Sequence, residues 1–212
     1  MNEVNEAMFV EVLKPYFQAR AYEWNSSLHQ FRRQTDQGFT CIIISISPYP
    51  DVSIVEFHLG IRLDDVENVA YPYTNGLSGF RPDSMTLVTP LSRLYQQPFQ
   101  RFTVANESDV QLATTTLIQQ LEDLGWDFLD TYQHRPNLEQ LFNQEPTSPL
   151  RWTHHQVHRA MRGITLAKLN QRQDLPQLIK QYEQLLVRQY ATELEQVNFE
   201  ALCQFLLNYS PN

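Results

Sequence analysis

The chain has 212 residues, 42% of them hydrophobic and 12% aromatic, with two cysteines and a formal net charge of −8. That is enough to bury one good core, or a main domain with an appendage, and it excludes a disordered chain and a disulfide-stapled secreted scaffold. No window holds the roughly 18 uninterrupted apolar residues of a membrane span. Residues Met1 to Glu6 are acidic and polar, unlike a secretion signal, so a cytoplasmic protein is expected.

The first expected element is an amphipathic helix from Glu6 to Phe17, with Met8, Phe9, Val12, Leu13, Tyr16 and Phe17 at helical spacing. Pro15 predicts a kink or an end near Lys14. An antiparallel meander follows. Phe31 to Gln34 runs into the turn Thr35-Asp36-Gln37-Gly38, Phe39 to Ser47 stops at Pro48-Tyr49-Pro50-Asp51, and Val52 to Arg62 is the third strand. Alternation puts Ile42, Ile44 and Ile46 on one face, and Val55, Phe57, Leu59 and Ile61 on one face of the next strand. Such a face must lie on helices. Ile43 on the polar side predicts partial cover there too.

Asp64, Asp65 and Glu67 gather carboxylates just after the third strand, where they read as an acidic turn that suits docking of a basic partner. They lack the glycine and alternating oxygens of a calcium loop. Residues Tyr71 to Ser84, rich in Pro, Gly, Asn and Tyr, predict a long loop bearing Tyr71, Tyr73, Phe80 and Arg81, residue types that dominate binding hot spots. Met85 to Thr89 and Phe99 to Val104 are further strand candidates, giving about five.

Ser108 with Gln111 has capping-box spacing and opens a helix carrying Val110, Ala113, Leu117, Leu121 and Leu124, with Gly125 as its expected left-handed C-cap. An aromatic knot (Trp126, Phe128, Tyr132) and a short helix around Leu138 to Phe142 come next. Asn143 to Leu150, with Pro146 and Pro149, reads as a linker between an α+β domain over 1–146 and a helical segment over 150–212. In that segment Asp174 and Pro176 mark one helix start, and Asn198 caps a last helix containing Cys203. Cys41 and Cys203 read as buried thiols.

The expected fold is therefore α+β, an antiparallel sheet with its meander first, packed on helices and followed by three C-terminal helices. The order of elements resembles a family of small bacterial domains of unknown function over about residues 6–143. The likeness rests on Lys14-Pro15, on Ala21-Tyr22 where the family has Gly-Phe, and on Phe31-Arg32, Leu59-Gly60-Ile61 and Trp126 to Asp130. The resemblance implies no catalytic residues, and its general look is that of immunity proteins of bacterial toxin systems.

Residues 1–146 hold 9 Lys/Arg against 19 Asp/Glu, a net of −10, so this part repels phosphate backbones and nucleic acid is not an expected partner. His154 and His158 stand four apart, a chelating spacing if helical, but His155 occupies the place where a metalloprotease pattern needs Glu, and no metal or cofactor is expected. Nucleotide loops and a nucleophile elbow are absent from the sequence, which holds 6 glycines in all. The first expectation is a non-catalytic, immunity-like or regulatory protein that binds another protein through its acidic surface. The alternative is a small-molecule binder or enzyme with a pocket lined by Glu56, His58 and Arg62, which alternate on the polar face of the third strand. Self-association through a sheet edge or the C-terminal helices stays open.

Overall fold

A computed structural model describes residues 6–97 and 99–210. The acidic start over residues 1–5 lies outside the described residues. The fold is α+β, with a six-stranded antiparallel sheet in the order β1-β2-β3-β4-β5 and β6 added beside β4. The chain forms two compact units, one of residues up to Ile61 with Val88–Asp130, the other of Arg62–Leu87 with Thr131–Asn212. The stretch Asn143 to Leu150 thus lies inside the second unit.

In the first unit α1 (Glu6–Gln18) buries Phe9, Leu13 and Phe17, one residue per turn. It continues through Pro15 rather than ending at Lys14, because the buried Phe17 ring, stacked at 4.2 Å on Phe31, rewards the extra turn. Tyr22 N–H donates to Phe17 O and Ala21 N–H to Gln18 O, closing the helix in a Schellman arrangement. Ala21 sits there with φ 60°, a conformation that favours glycine.

The short strand β1 (Glu23–Asn25), too brief to read from sequence, pairs with β2 (Gln30–Thr35), which pairs with β3 (Gly38–Pro48). Thr35 faces Gly38 across a two-residue turn, and Gly38 has φ 149°. β4 (Ser53–Leu63) follows, with Tyr49 N–H donating to Val52 O across the turn. As the alternation requires, Ile42, Ile44, Val55, Phe57 and Leu59 are buried, and Phe9 meets Phe57 edge-on at 6.3 Å. The reverse face is partly covered as well: Cys41 is fully enclosed and Arg32 lies 3.8 Å over the Phe39 ring.

β5 (Leu87–Pro90) and β6 (Phe102–Val104) complete the sheet. The helix α3 (Glu107–Gln120) is capped by Asn106, whose side chain accepts from Asp109 N–H, two residues before the expected Ser108. Asp109 in turn accepts from Ala105 N–H, so the side-chain capping sits at Asn106 and Asp109 instead of at Ser108 and Gln111. Gly125 is not a C-cap. The chain passes through one wide π turn, Leu121–Gly125, directly into α4 (Trp126–Tyr132), and a Cβ at Gly125 would lie 2.7 Å from Leu121 Cδ2. The glycine therefore serves close packing. Trp126 packs among Tyr16, Phe17 and Tyr22, rings distant in sequence that the expected knot around Trp126 to Tyr132 did not include.

The second unit is built round α6 (Gln156–Leu169), buried on every side from Arg159 to Ala167. Around it stand α2 (Asp64–Ala70), α5 (Arg135–Asn143), α7 (Leu175–Arg188) and α8 (Glu193–Asn208). Met161, Ile164, Leu178, Tyr182, Phe199 and Leu202 belong to one continuous core. α7 starts at the Asp174-Pro176 signal as expected. α8 starts earlier than Asn198, at a Thr192–Glu195 capping box, which satisfies the first-turn donors and leaves Asn198 to hydrogen-bond Asn75. Cys41 and Cys203 are both free and buried, and burial raises each thiol to about 12.

Candidate interaction loop

Carboxylates dominate the segment that leaves β4, and the structure winds it into α2 rather than a turn, with Asp64, Asp65 and Glu67 in its first turn. Negative charge there complements the amino end of the helix. Each carboxylate also has its own arginine. Arg62 Nε donates to Asp64 Oδ1 at 2.5 Å, Arg135 Nη1 to Asp65 Oδ2 at 2.5 Å, and Arg162 grips Glu67 with two parallel hydrogen bonds of 2.7 and 2.9 Å. Glu67, expected on a docking patch, is fully enclosed. Burial pushes its pKa up, but the charge and hydrogen bonds of Arg162, with hydrogen bonds from Ser84 and Thr86, more than offset this and hold the carboxyl below its usual range. Asp64 and Asp65 keep side-chain exposures of 57% and 41%, so of these three carboxylates only these two reach solvent.

The following stretch is a fastened loop made of two 3₁₀ turns, Tyr71–Tyr73 and Ser78–Asp83. Tyr71 is buried and its hydroxyl donates to Leu77 O at 2.8 Å, with Gly76 so close to the ring that a Cβ would overlap it. Arg62 is buried too. Its Nη1 donates to Arg81 O and Ser84 O, both at 2.8 Å, while Arg81 Nη2 donates to Asn68 O at 3.0 Å. Tyr73 is half-buried against the helical core, 6.3 Å from the Phe205 ring, which stacks on Tyr209 at 5.1 Å. Above these anchors Leu77 is 70% exposed and Phe80 59% exposed.

The residues expected at a binding loop thus divide into two roles. Tyr71 and Arg81 hold the backbone, Tyr73 packs, and Phe80 faces solvent. Sequence reading missed Leu77, whose signal was an apolar side chain amid Gly76, Ser78 and Gly79. It also missed Arg62 as the loop's anchor.

For the alternative pocket, Glu56 Oε1 accepts from Arg101 Nε at 3.2 Å, His58 is half-buried, and Arg62 is buried with Nε on Asp64 and Nη1 on the loop carbonyls. His154 precedes α6, so it does not share a helical face with His158; instead His155 and His158 stack at 5.2 Å. Burial, the Arg162 charge and His155 lower the His158 pKa to about 4, so the ring is neutral at pH 7. Among the described residues no group of three or more His, Cys, Asp or Glu is placed to hold a metal ion, and no helix is long and apolar enough to cross a membrane. Comparison with known proteins finds no family model, curated protein or solved structure that matches the chain.

Proposed function

We propose that the protein is a non-catalytic protein-binding protein, immunity-like or regulatory and cytoplasmic, whose contact surface is the loop Tyr71 to Ser84. One observation carries this reading: Leu77 and Phe80 stand in solvent on a backbone that buried Arg62 and Tyr71 hold from below. A loop already ordered loses little entropy when it binds, so two exposed apolar side chains on it contribute more than they would on a floppy one. Aromatic anchors beside an arginine are the usual centres of binding energy. Asp64 and Asp65 flank the loop in sequence and suit a basic partner. Since both already have arginines, their charge serves encounter more than holding. The resemblance to the immunity-like bacterial family points the same way.

The test is site-specific photo-crosslinking from position 80 in the native cell, with and without Leu77→Ser. The reading requires a discrete adduct with one protein, reduced several-fold by Leu77→Ser and weakened by salt and by Asp64→Lys with Asp65→Lys. Adducts unchanged by Leu77→Ser would remove the loop from the interface. Loss on Leu77→Ser with no response to the two lysines would keep the loop and discard the acidic contribution.

A further inference from the structure

β2 leaves the sheet early. Its pairing with β3 runs only as far as Gln30 opposite Ile43, and the last rung is Ile44 N–H donating to His29 O at 3.0 Å. His29 has φ 52°, a left-handed backbone that turns the chain away, while β3 runs on to Pro48. A cavity of about 510 Å³ lies beside β3 where a longer β2 would run. Ile43 and Ser45 line it together with Ile44 and Ile46. Alternate strand residues point to opposite faces, so a hollow touched by both sets wraps the open edge of the strand. Leu28 adds to its apolar lining.

This size and lining suit a small molecule rather than a strand. Ile44 N–H points to the β2 side, so Ile46, two residues on, turns its N–H and C=O the same way, toward the hollow. Pro48, the next residue on that side, has no N–H. The open edge therefore offers one complete rung, and a paired strand needs several residues.

The charged groups at the hollow select the ligand. Glu6 and His29 both line it, and His29 Nδ1 lies 2.8 Å from Glu6 Oε1. An ionised carboxylate only accepts, so the proton of this contact sits on Nδ1. Glu6 has no other hydrogen-bond partner among the described residues, which leaves Oε2 available. No lysine or arginine is among the described residues that line the cavity. A carboxylate oxygen beside an apolar hollow is complementary to a cation with an apolar body, and Ile46 C=O adds an uncharged acceptor.

We propose that the hollow at the β3 edge binds a small organic amine, with its apolar body against Leu28, Ile43 and Ile46 and its ammonium group on Glu6. The site shares no residue with the Tyr71 to Ser84 loop, and it stands whether or not that loop binds a protein.

NMR titration of the full chain, labelled at its isoleucine methyl groups, tests it with hexylamine, hexanol and hexanoate, which share a body and differ in the head. Hexylamine should shift the Ile43, Ile44 and Ile46 methyls saturably and bind about tenfold tighter than the other two, the scale of one charge-assisted contact. Glu6→Gln should bring hexylamine down to the level of hexanol. Glu6→Lys should transfer the preference to hexanoate, and the other isoleucine methyls report that each variant is folded. Equal binding of the three probes by the unaltered chain overturns the proposal, as do shifts confined to isoleucines outside the hollow. A folded Glu6→Lys protein without a preference for hexanoate overturns it too. So does the absence of saturable shifts with hexylamine, the outcome expected if a strand of another protein covers this edge instead.

Discussion

Glu67 and Arg162 meet 95 residues apart in sequence as a two-point pair, Nε to Oε1 at 2.7 Å and Nη2 to Oε2 at 2.9 Å, with Glu67 wholly enclosed. Taking both charges out of water is costly, and only their mutual geometry offsets it. Removing one partner strands the other. Glu67→Ala and Arg162→Ala should each lower stability by about 3–5 kcal/mol, whereas Glu67→Met with Arg162→Met should recover most of the loss. Chemical denaturation of the four proteins checks this. Single-variant losses that simply add in the double variant would contradict it.

Acid should act through the same pair. The Glu67 pKa is lowered on folding from its usual 4.5, so its stabilisation is present above that value and is lost as pH falls through the folded one. A stability profile below about pH 4.5 should be steeper for the unaltered chain than for Glu67→Gln. Parallel profiles would show that other carboxylates govern acid unfolding.

His158 works in a separate, higher window. It is a base whose pKa falls from 6.5 to about 4 on folding, so the unfolded chain takes up a proton first as pH drops. Stability should therefore decline between pH 6.5 and 4, with a slope approaching roughly 1.4 kcal/mol per pH unit from this group. The groups acting on it are Arg162, His155, Glu195 and the Thr74 backbone. His158→Gln should flatten the profile in that window while leaving the part below pH 4 alone. Thermal melts across the range decide it.

Ala21 occupies the left-handed position that closes α1, with φ 60°. Ala21→Gly should raise stability by about 0.5–1 kcal/mol, the relief of a strained alanine less the added freedom of the unfolded chain. A destabilised Ala21→Gly protein would mean the alanine methyl contributes packing that outweighs the strain.

Gly163 lies where a Cβ would come 2.5 Å from Tyr182 Oη and 2.6 Å from Asn143 Oδ1, the two ends of a buried 2.7 Å hydrogen bond. Gly163→Ala should cost about 1–3 kcal/mol by forcing these groups apart. Restoring room with Tyr182→Phe in the same chain should recover part of that cost, as read from denaturant midpoints.

The meander was legible because strand alternation and turn residues are local: Ile42 to Ile46, Val55 to Ile61 and the Pro48 to Asp51 turn each declare themselves within a few positions. Helix starts were less so. Asn106 and Ser108 are both good caps, and what chose Asn106 was the contact of its side chain with Asp109 N–H and of Asp109 with Ala105 N–H. Burial of charge was illegible. Nothing near Glu67 announces Arg162, and nothing near Arg62 announces that it will hold Arg81 O and Ser84 O. Aromatic residues in the Tyr71 to Ser84 stretch marked a surface of interest, but which ring would anchor and which would face solvent depended on Gly76 admitting Tyr71.

Arg159 gives the segment between Phe142 and Ser148 a character its composition conceals. Its guanidinium is almost wholly enclosed and donates to Phe142 O at the end of α5 and to Glu145 O and Ser148 O, two carbonyls of the stretch that the prolines and serine mark as a linker. One side chain thus rivets several peptide groups at once. A protease seeking an extended strand of six or so residues would find none there without first tearing the rivet out, so the most cleavable-looking place in the chain should be among its slowest to be cut.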